Sequence, residues 1–189
     1  HIERFIYSLY DKIICISYDV KNIFINYTKL NEKRFQVIEN GINLLKIRET
    51  QPVDKILIHP SISTSDKLLI QIAGFRIEKD QKTVIKSLVH LPVNVKLLLV
   101  GDGSLIEECE KLTLDLDLTE RVVFLGVRTD AATLLKTSDI SIVSSHWEGF
   151  GLVAIESMAA GKPLLASNID GLASVVDGAA ILFEKNNEI

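Results

Sequence analysis

Residues 67–103 read KLLIQIAGFRIEKDQKTVIKSLVHLPVNVKLLLVGDG. Two runs in it, Leu68 to Ala73 and Val95 to Val100, are apolar along nearly their whole length, as strands buried on both faces are. Between them Val84, Leu88 and Leu91 recur at i, i+4 and i+7, the spacing of one helix face. Each run is closed by a glycine, Gly74 or Gly101. Strand, helix, strand is the repeating unit of a parallel sheet with crossover helices.

The same alternation continues toward the C-terminus, with apolar runs at Val122 to Leu125, Ile140 to Ser144, Pro163 to Ser167 and Ala180 to Phe183. Leu105, Cys109, Leu112 and Leu116 form a second helical stripe. Ser104 with Glu107 predicts a capping box before it, and Asp130 predicts a cap for the next helix. The expected fold class is α/β, a Rossmann-like parallel sheet flanked by helices, over residues 67–189. Residues 1–45 predict a helical start, a strand at Lys12 to Ser17, a helix at Asp19 to Tyr27 and a strand at Phe35 to Glu39. That is the tail of a second α/β domain. Residues 46–66, with Pro52, Pro60 and scattered polar residues, have the composition of a linker.

Composition narrows the function. Of 189 residues 47% are hydrophobic and 24% charged, which suits a folded core and argues against disorder. A net charge of -4 leaves no basic field for a nucleic-acid backbone, so nucleic acid is not an expected partner. Cys15 and Cys109 lie in apolar settings without metal-ligand spacing, which predicts neither disulfide nor zinc and suits a reducing cytoplasm. No apolar run reaches the roughly 20 residues of a membrane span, and Glu3, Arg4, Asp11 and Lys12 interrupt the N-terminal stretch, unlike a signal peptide. The start at His1 and the stop just after an apolar run suggest a piece of a longer protein.

In an open parallel sheet, ligands bind beyond the carboxyl ends of the strands, where helix N-termini converge. Seven of the ten glycines, Gly74, Gly101, Gly103, Gly126, Gly149, Gly151 and Gly171, follow a predicted strand, whereas Gly161 leads into one. The densest loop is Ser144 to Gly151, entering a helical stretch from Leu152 to Ala160. If that helix begins near Gly149, Glu148 stands at its mouth and Glu156 about two turns in, up to roughly 12 Å along the axis. A diphosphate fits between them, facing the N–H groups of Gly149 to Leu152, with each carboxylate left for sugar hydroxyls.

These residues resemble retaining glycosyltransferases of the GT-B fold, family GT4. Glu148-Gly149-Phe150-Gly151 to Glu156, followed by Ala159-Ala160-Gly161-Lys162-Pro163, is similar to the family's E-x7-E signature. Val100-Gly101-Asp102-Gly103 resembles its V-G-D-G, Phe124-Leu125-Gly126 its F-L-G, and Ile38-Glu39-Asn40-Gly41-Ile42-Asn43 its I-P-N-G-V-D. The resemblance implies a nucleotide-diphosphate-sugar donor, which is a substrate, and no cofactor. It implies a glycan or lipid-linked acceptor held by an N-terminal domain mostly absent here, so the fragment is expected to bind donor without transferring sugar. In the longer protein it implies peripheral contact with the inner face of the membrane.

Carried over by position, the resemblance implies catalytic roles for Glu148, Lys79 and Arg76. Glu148 would contact the donor sugar, and Lys79 with Arg76 would neutralise the departing diphosphate. Gly74, Gly101, Gly149, Phe150, Gly151 and Leu152 would line the donor, Glu156 would hold the ribose, and Val127 and Arg128 would border the base. Two departures stand out. Arg76 lies three residues before Lys79, where the family has its arginine five before, and Ser174 replaces the glutamate usual in the family's G-G-x-x-E.

Asp115-Leu116-Asp117 spells D-x-D but closes a predicted amphipathic helix, so it reads as a solvated helix end, and no required metal is expected. His146 reads either as a proton carrier or as a packing group, and His59 and His90 read as surface residues. Two alternatives stand beside transfer. One is a nucleotide-sugar 2-epimerase of the same fold, and the other a non-catalytic nucleotide-sugar binding module.

Overall fold

The structure, a computed structural model, describes residues 2–185. A first unit holds helix α1 (Ile2–Ser8), strand β1 (Ile13–Cys15), helix α2 (Tyr18–Thr28) and strand β2 (Phe35–Val37), with β1 and β2 paired in parallel. Helix α3 (Leu44–Glu49) follows. The main sheet is built from β3 (Lys67–Ile72), β4 (Val95–Val100), β5 (Val122–Phe124), β6 (Ile140–Val143), β7 (Leu164–Ser167) and β8 (Ile181–Phe183). Its crossover helices are α4 (Gln81–Ser87), α5 (Ile106–Asp115), α6 (Ala131–Thr137) and α7 (Leu152–Ala159).

The order is β5-β4-β3-β6-β7-β8, with every neighbouring pair parallel. This is a Rossmann-like sheet. The chain builds outward from β3 in one direction and then returns to build from β6 in the other. The carboxyl ends of β3 and β6 therefore flank the topological switch point, where the crossovers diverge and leave a crevice.

Apolar runs become central strands because both faces are covered. Leu68 and Ile70 of β3 join Leu98 and Val100 of β4 on one face, under Leu134 and Leu135 of α6. Leu69 and the alternate residues Leu97 and Leu99 point the other way, onto Val84, Ile85 and Leu88 beside α4 and Cys109 of α5. The two-residue period of a strand splits each run between two cores. Burial of a leucine or isoleucine contributes roughly 1.5 to 3 kcal/mol.

The outermost strand differs from the expectation. β8 ends the sheet, and with Ile181 69% exposed and Leu182 39% its faces are left open, unlike those of β5 at the other edge, where Val122 and Val123 are buried. Gly178, just before β8, joins Gly161 on the amino side of the sheet. Residues 46–66, expected as a linker, cover one face of the main sheet: Ile47, Ile58 and Ile62 are buried in the same cluster as Leu68 and Ile70. Their lack of periodicity reflects irregular backbone around a 3-10 turn at Lys55–Leu57.

Two expected caps do not form. The position before α5 is Leu105, one residue later than the expected cap, and Ser104 makes no capping bond; the Leu105 N–H donates to the Phe75 carbonyl at 3.1 Å. Asp130 occupies the cap position of α6 but makes no capping bond. Its carboxylate is taken by Arg128, Nε to Oδ1 at 2.8 Å and Nη2 to Oδ2 at 2.6 Å. Ser17 does cap α2, accepting from the Val20 N–H at 3.1 Å.

Candidate functional site

The carboxyl ends of β3 and β6 open into a cavity of about 340 Å³. Ala73 after β3, Ser144 and Ser145 after β6, and Gly149 to Val153 at the start of α7 line it. Ile16 and Asn40 reach it from the first unit, so its walls come from both parts of the chain.

At the centre of this cavity Lys79 Nζ donates to Glu148 Oε1, and the Ser145 hydroxyl donates to the same oxygen at 2.9 Å. Both charged side chains are largely buried, 23% and 15% exposed. Each charge would be costly there without the other. Lys79 is delivered by a short turn, Ile77–Lys79, ending at Asp80 in the left-handed region with φ 44°. That turn is stitched to the loop after β6. The His146 N–H donates to the Glu78 carbonyl at 2.9 Å, and the Ser144 hydroxyl donates to the Lys79 carbonyl at 2.9 Å. Gln71, 2% exposed on β3, donates from Nε2 to the Lys79 carbonyl at 2.7 Å and to Ser144 Oγ at 2.9 Å. His146 Nε2 stands 3.7 Å from Asp80 Oδ2. Its imidazole thus supports the turn and does not line the cavity.

Helix α7 starts at Leu152, later than the expected Gly149, with Gly151 at the cap position and φ 79°. Glu148 to Gly151 is therefore a loop, and the first-turn N–H groups, which have no intrahelical acceptor, begin at Leu152. Phe150 is 5% exposed and packs as part of the wall.

Glu156 sits elsewhere. It faces a second cavity of about 210 Å³, bordered by Asn43 and Lys46 of the α3 region and by Thr129 and Ala131 before and within α6. Burial pushes its carboxyl pKa up, and Lys46 opposes that shift. Val127, 77% exposed, and Arg128, paired with Asp130, directly precede Thr129.

Five expected site residues, Arg76, Gly74, Gly101, Val127 and Arg128, line neither cavity. Arg76 is 71% exposed, with Glu78 3.9 Å away. Gly101 instead lets two strand ends meet. Gly101 has φ +140°, and a Cβ there would lie 2.1 Å from the Ala73 carbonyl oxygen. Only glycine fits that approach. Sequence reasoning gave no role to Gln71, Ser145, Lys46 or Ile16. For Gln71 a signal existed, a single amide inside an otherwise apolar doubly buried strand, where an unpaired polar group is costly.

Among the described residues no group of three or more His, Cys, Asp or Glu side chains could hold a metal ion. Asp115 and Asp117 are exposed at the end of α5, as His59 and His90 are in their loops. Both cysteines are buried free thiols, and desolvation pushes the Cys109 thiol up to about 11. Among the described residues no helix is long and apolar enough to cross a membrane.

Residues 54–189 match the family described as glycosyl transferases group 1. The N-acetyl-alpha-D-glucosaminyl L-malate synthase of Bacillus anthracis is 32% identical over 178 residues, 93% of this chain and 46% of that protein. The UDP-Gal:alpha-D-GlcNAc-diphosphoundecaprenol alpha-1,3-galactosyltransferase of Escherichia coli is 26% identical over 180 residues, 90% of this chain and 46% of that one. Anabaena Alr3699/HepE, solved in complex with UDP and glucose, superposes with a TM-score of 0.86 at 26% identity, covering 94% of this chain and 50% of its own. The chain spans about half the length of the curated relatives it matches. A parallel sheet with its cavity at the switch point and a family match over most of its length make this chain a member of the glycosyl transferases group 1 family.

Proposed function

We propose that this chain is the donor-binding part of a retaining glycosyltransferase of family GT4, which moves a sugar from a nucleotide-diphosphate donor to a glycan or lipid-linked acceptor. Residues 67–189 hold the donor, 46–66 join the two parts, and 1–45 end an acceptor domain. The donor sugar and diphosphate occupy the cavity of about 340 Å³. Glu148 accepts from sugar hydroxyls, while Leu152 and the backbone of Gly149 to Gly151 face the phosphates. The ribose takes the Glu156 carboxylate in the neighbouring cavity, with the base toward Val127 and Arg128. The nucleotide sugar is a substrate, and no cofactor takes part.

The observation that carries this reading is the Lys79–Glu148 pair at the carboxyl edge of the sheet. When the bond from the anomeric carbon to the phosphate oxygen breaks, its electron pair stays on the diphosphate. A lysine already held in place meets that growing charge without reorganisation, an effect worth several kcal/mol. An acceptor site is needed for transfer, so this chain binds donor without turning it over. The enzyme works in the cytoplasm, at the inner face of the membrane where the acceptor is lipid-linked.

The test is product analysis with the acceptor domain restored. A glycoside with the donor's anomeric configuration is the expected product. Inversion at the anomeric carbon would refute retention. A 2-epimer formed without acceptor, or donor binding with no turnover, would refute transfer.

A further inference from the structure

We propose that Asp19 is a positioning residue for the donor loop, acting through Gly171 on the backbone of Glu148; what the loop does rests on the reading above. Asp19 belongs to the first turn of α2, outside the main sheet. Its Oδ2 accepts from the Gly171 N–H at 2.8 Å and from the Ser174 hydroxyl at 3.0 Å. Both donors lie in the stretch after β7, 152 and 155 residues along the chain.

Gly171 has φ +79°, and a Cβ there would lie 2.1 Å from the Glu148 carbonyl oxygen and 3.1 Å from its carbonyl carbon. Backbone rests on backbone with no side chain between, so the place of Gly171 sets the place of the Glu148–Gly149 peptide. The first unit meets that peptide a second time. A Cβ on Gly149 would lie 3.0 Å from Ile16 Cδ1 and 3.8 Å from Val20 Cγ2. Lys79 and Ser145 hold the Glu148 carboxylate, and Asp19 holds its main chain from the opposite side.

The bonds are charge-assisted, the stronger class of hydrogen bond. The hydroxyl at 174 matters for its sign: a carboxylate there would face Asp19 where a donor now stands. Asp19 and Ser174 form a matched pair, and losing the acceptor at 19 or the donor at 174 opens the clasp.

The experiment uses the 189-residue chain and two readouts. Amide hydrogen exchange over residues 147–152 reports the loop without ligand, and calorimetry with UDP reports binding. In Asp19→Ala, which removes both bonds, exchange over these residues rises by about tenfold or more and UDP affinity falls by about tenfold or more. Asp19→Asn keeps an acceptor for Gly171 and recovers most of both. Ser174→Glu, at an exposed position, reproduces the Asp19→Ala behaviour and serves where that variant fails to fold. Unchanged exchange over 147–152 in these folded variants overturns the proposal, as does unchanged UDP affinity where wild type binds. Faster exchange in variants of a chain that never binds UDP supports the clasp and removes the donor reading instead.

Discussion

At the mouth of α7 Glu148 has a cation and a hydroxyl on one oxygen, its side chain largely closed to water. About one turn into α7 Glu156 is half-buried in another cavity, where desolvation outweighs the influence of Lys46. Both acids belong to one sequence signature, but their surroundings differ in kind. Glu148 has its Oε1 met by Lys79 and Ser145 before any ligand is present, the arrangement the proposed function uses for charge that develops during reaction. Glu156 is under-satisfied, so a ligand offering hydroxyl donors removes a penalty present in the empty site. On the proposed function, the first environment would serve the transition state and the second ground-state binding.

The largest expected effect comes from breaking the prepared side. With the acceptor domain restored, Lys79→Ala lowers turnover at saturating donor by about 10² to 10³ and donor affinity by less. Turnover and donor dissociation constant, measured on one acceptor, check it. Unchanged turnover would make Lys79 a ground-state binder.

Glu156→Gln sharpens the other side. Losing charge-assisted bonds worth roughly 1.5 to 3 kcal/mol weakens UDP binding about ten-fold to a hundred-fold. Stability moves the opposite way. Because the folded-state pKa of Glu156 is raised, its proton stabilises the fold below the ordinary carboxylate value, and that contribution is lost as pH rises through the raised one. The Gln variant lacks the loss, so its melting temperature relative to wild type climbs over the same window. Melting curves from pH 4 to 7 that run parallel would contradict the desolvated carboxylate.

Gln71→Leu removes the amide that ties Lys79 to Ser144. A cost of about 1 kcal/mol is expected, or about 2 to 4 °C in melting temperature, with UDP affinity reduced several-fold. Arg76→Ala, at a side chain 71% exposed and outside both cavities, changes UDP affinity by less than about twofold. A larger loss would place Arg76 on the diphosphate after all.

How much of this was legible depends on where partners lie along the chain. Strands β3 to β7 announced themselves because residues buried on both faces must be apolar throughout. The edge strand β8 carried the same letters, and only the finished sheet shows that it lacks a neighbour. Asp130 does not cap α6 because Arg128, two residues before it, takes its carboxylate, and α5 begins one residue later than Ser104 requires, with Leu105 at its cap position. Lys79 and Glu148 could be named from the resemblance, but their pairing spans 69 residues. Asp19 was invisible: nothing near α2 points to a partner 152 residues away. Ser174, noticed as the loss of an acid, is intelligible once Asp19 is seen accepting from its hydroxyl.

Calorimetric titration of UDP into this chain, without divalent metal and with GDP and ADP alongside, tests the donor site most directly. The expected result is one-to-one binding of at least one of the three with a dissociation constant below millimolar, weakened about ten-fold or more by Glu156→Gln. Folded protein that binds none of the three at millimolar concentration, or that binds equally well without the Glu156 carboxylate, would contradict it.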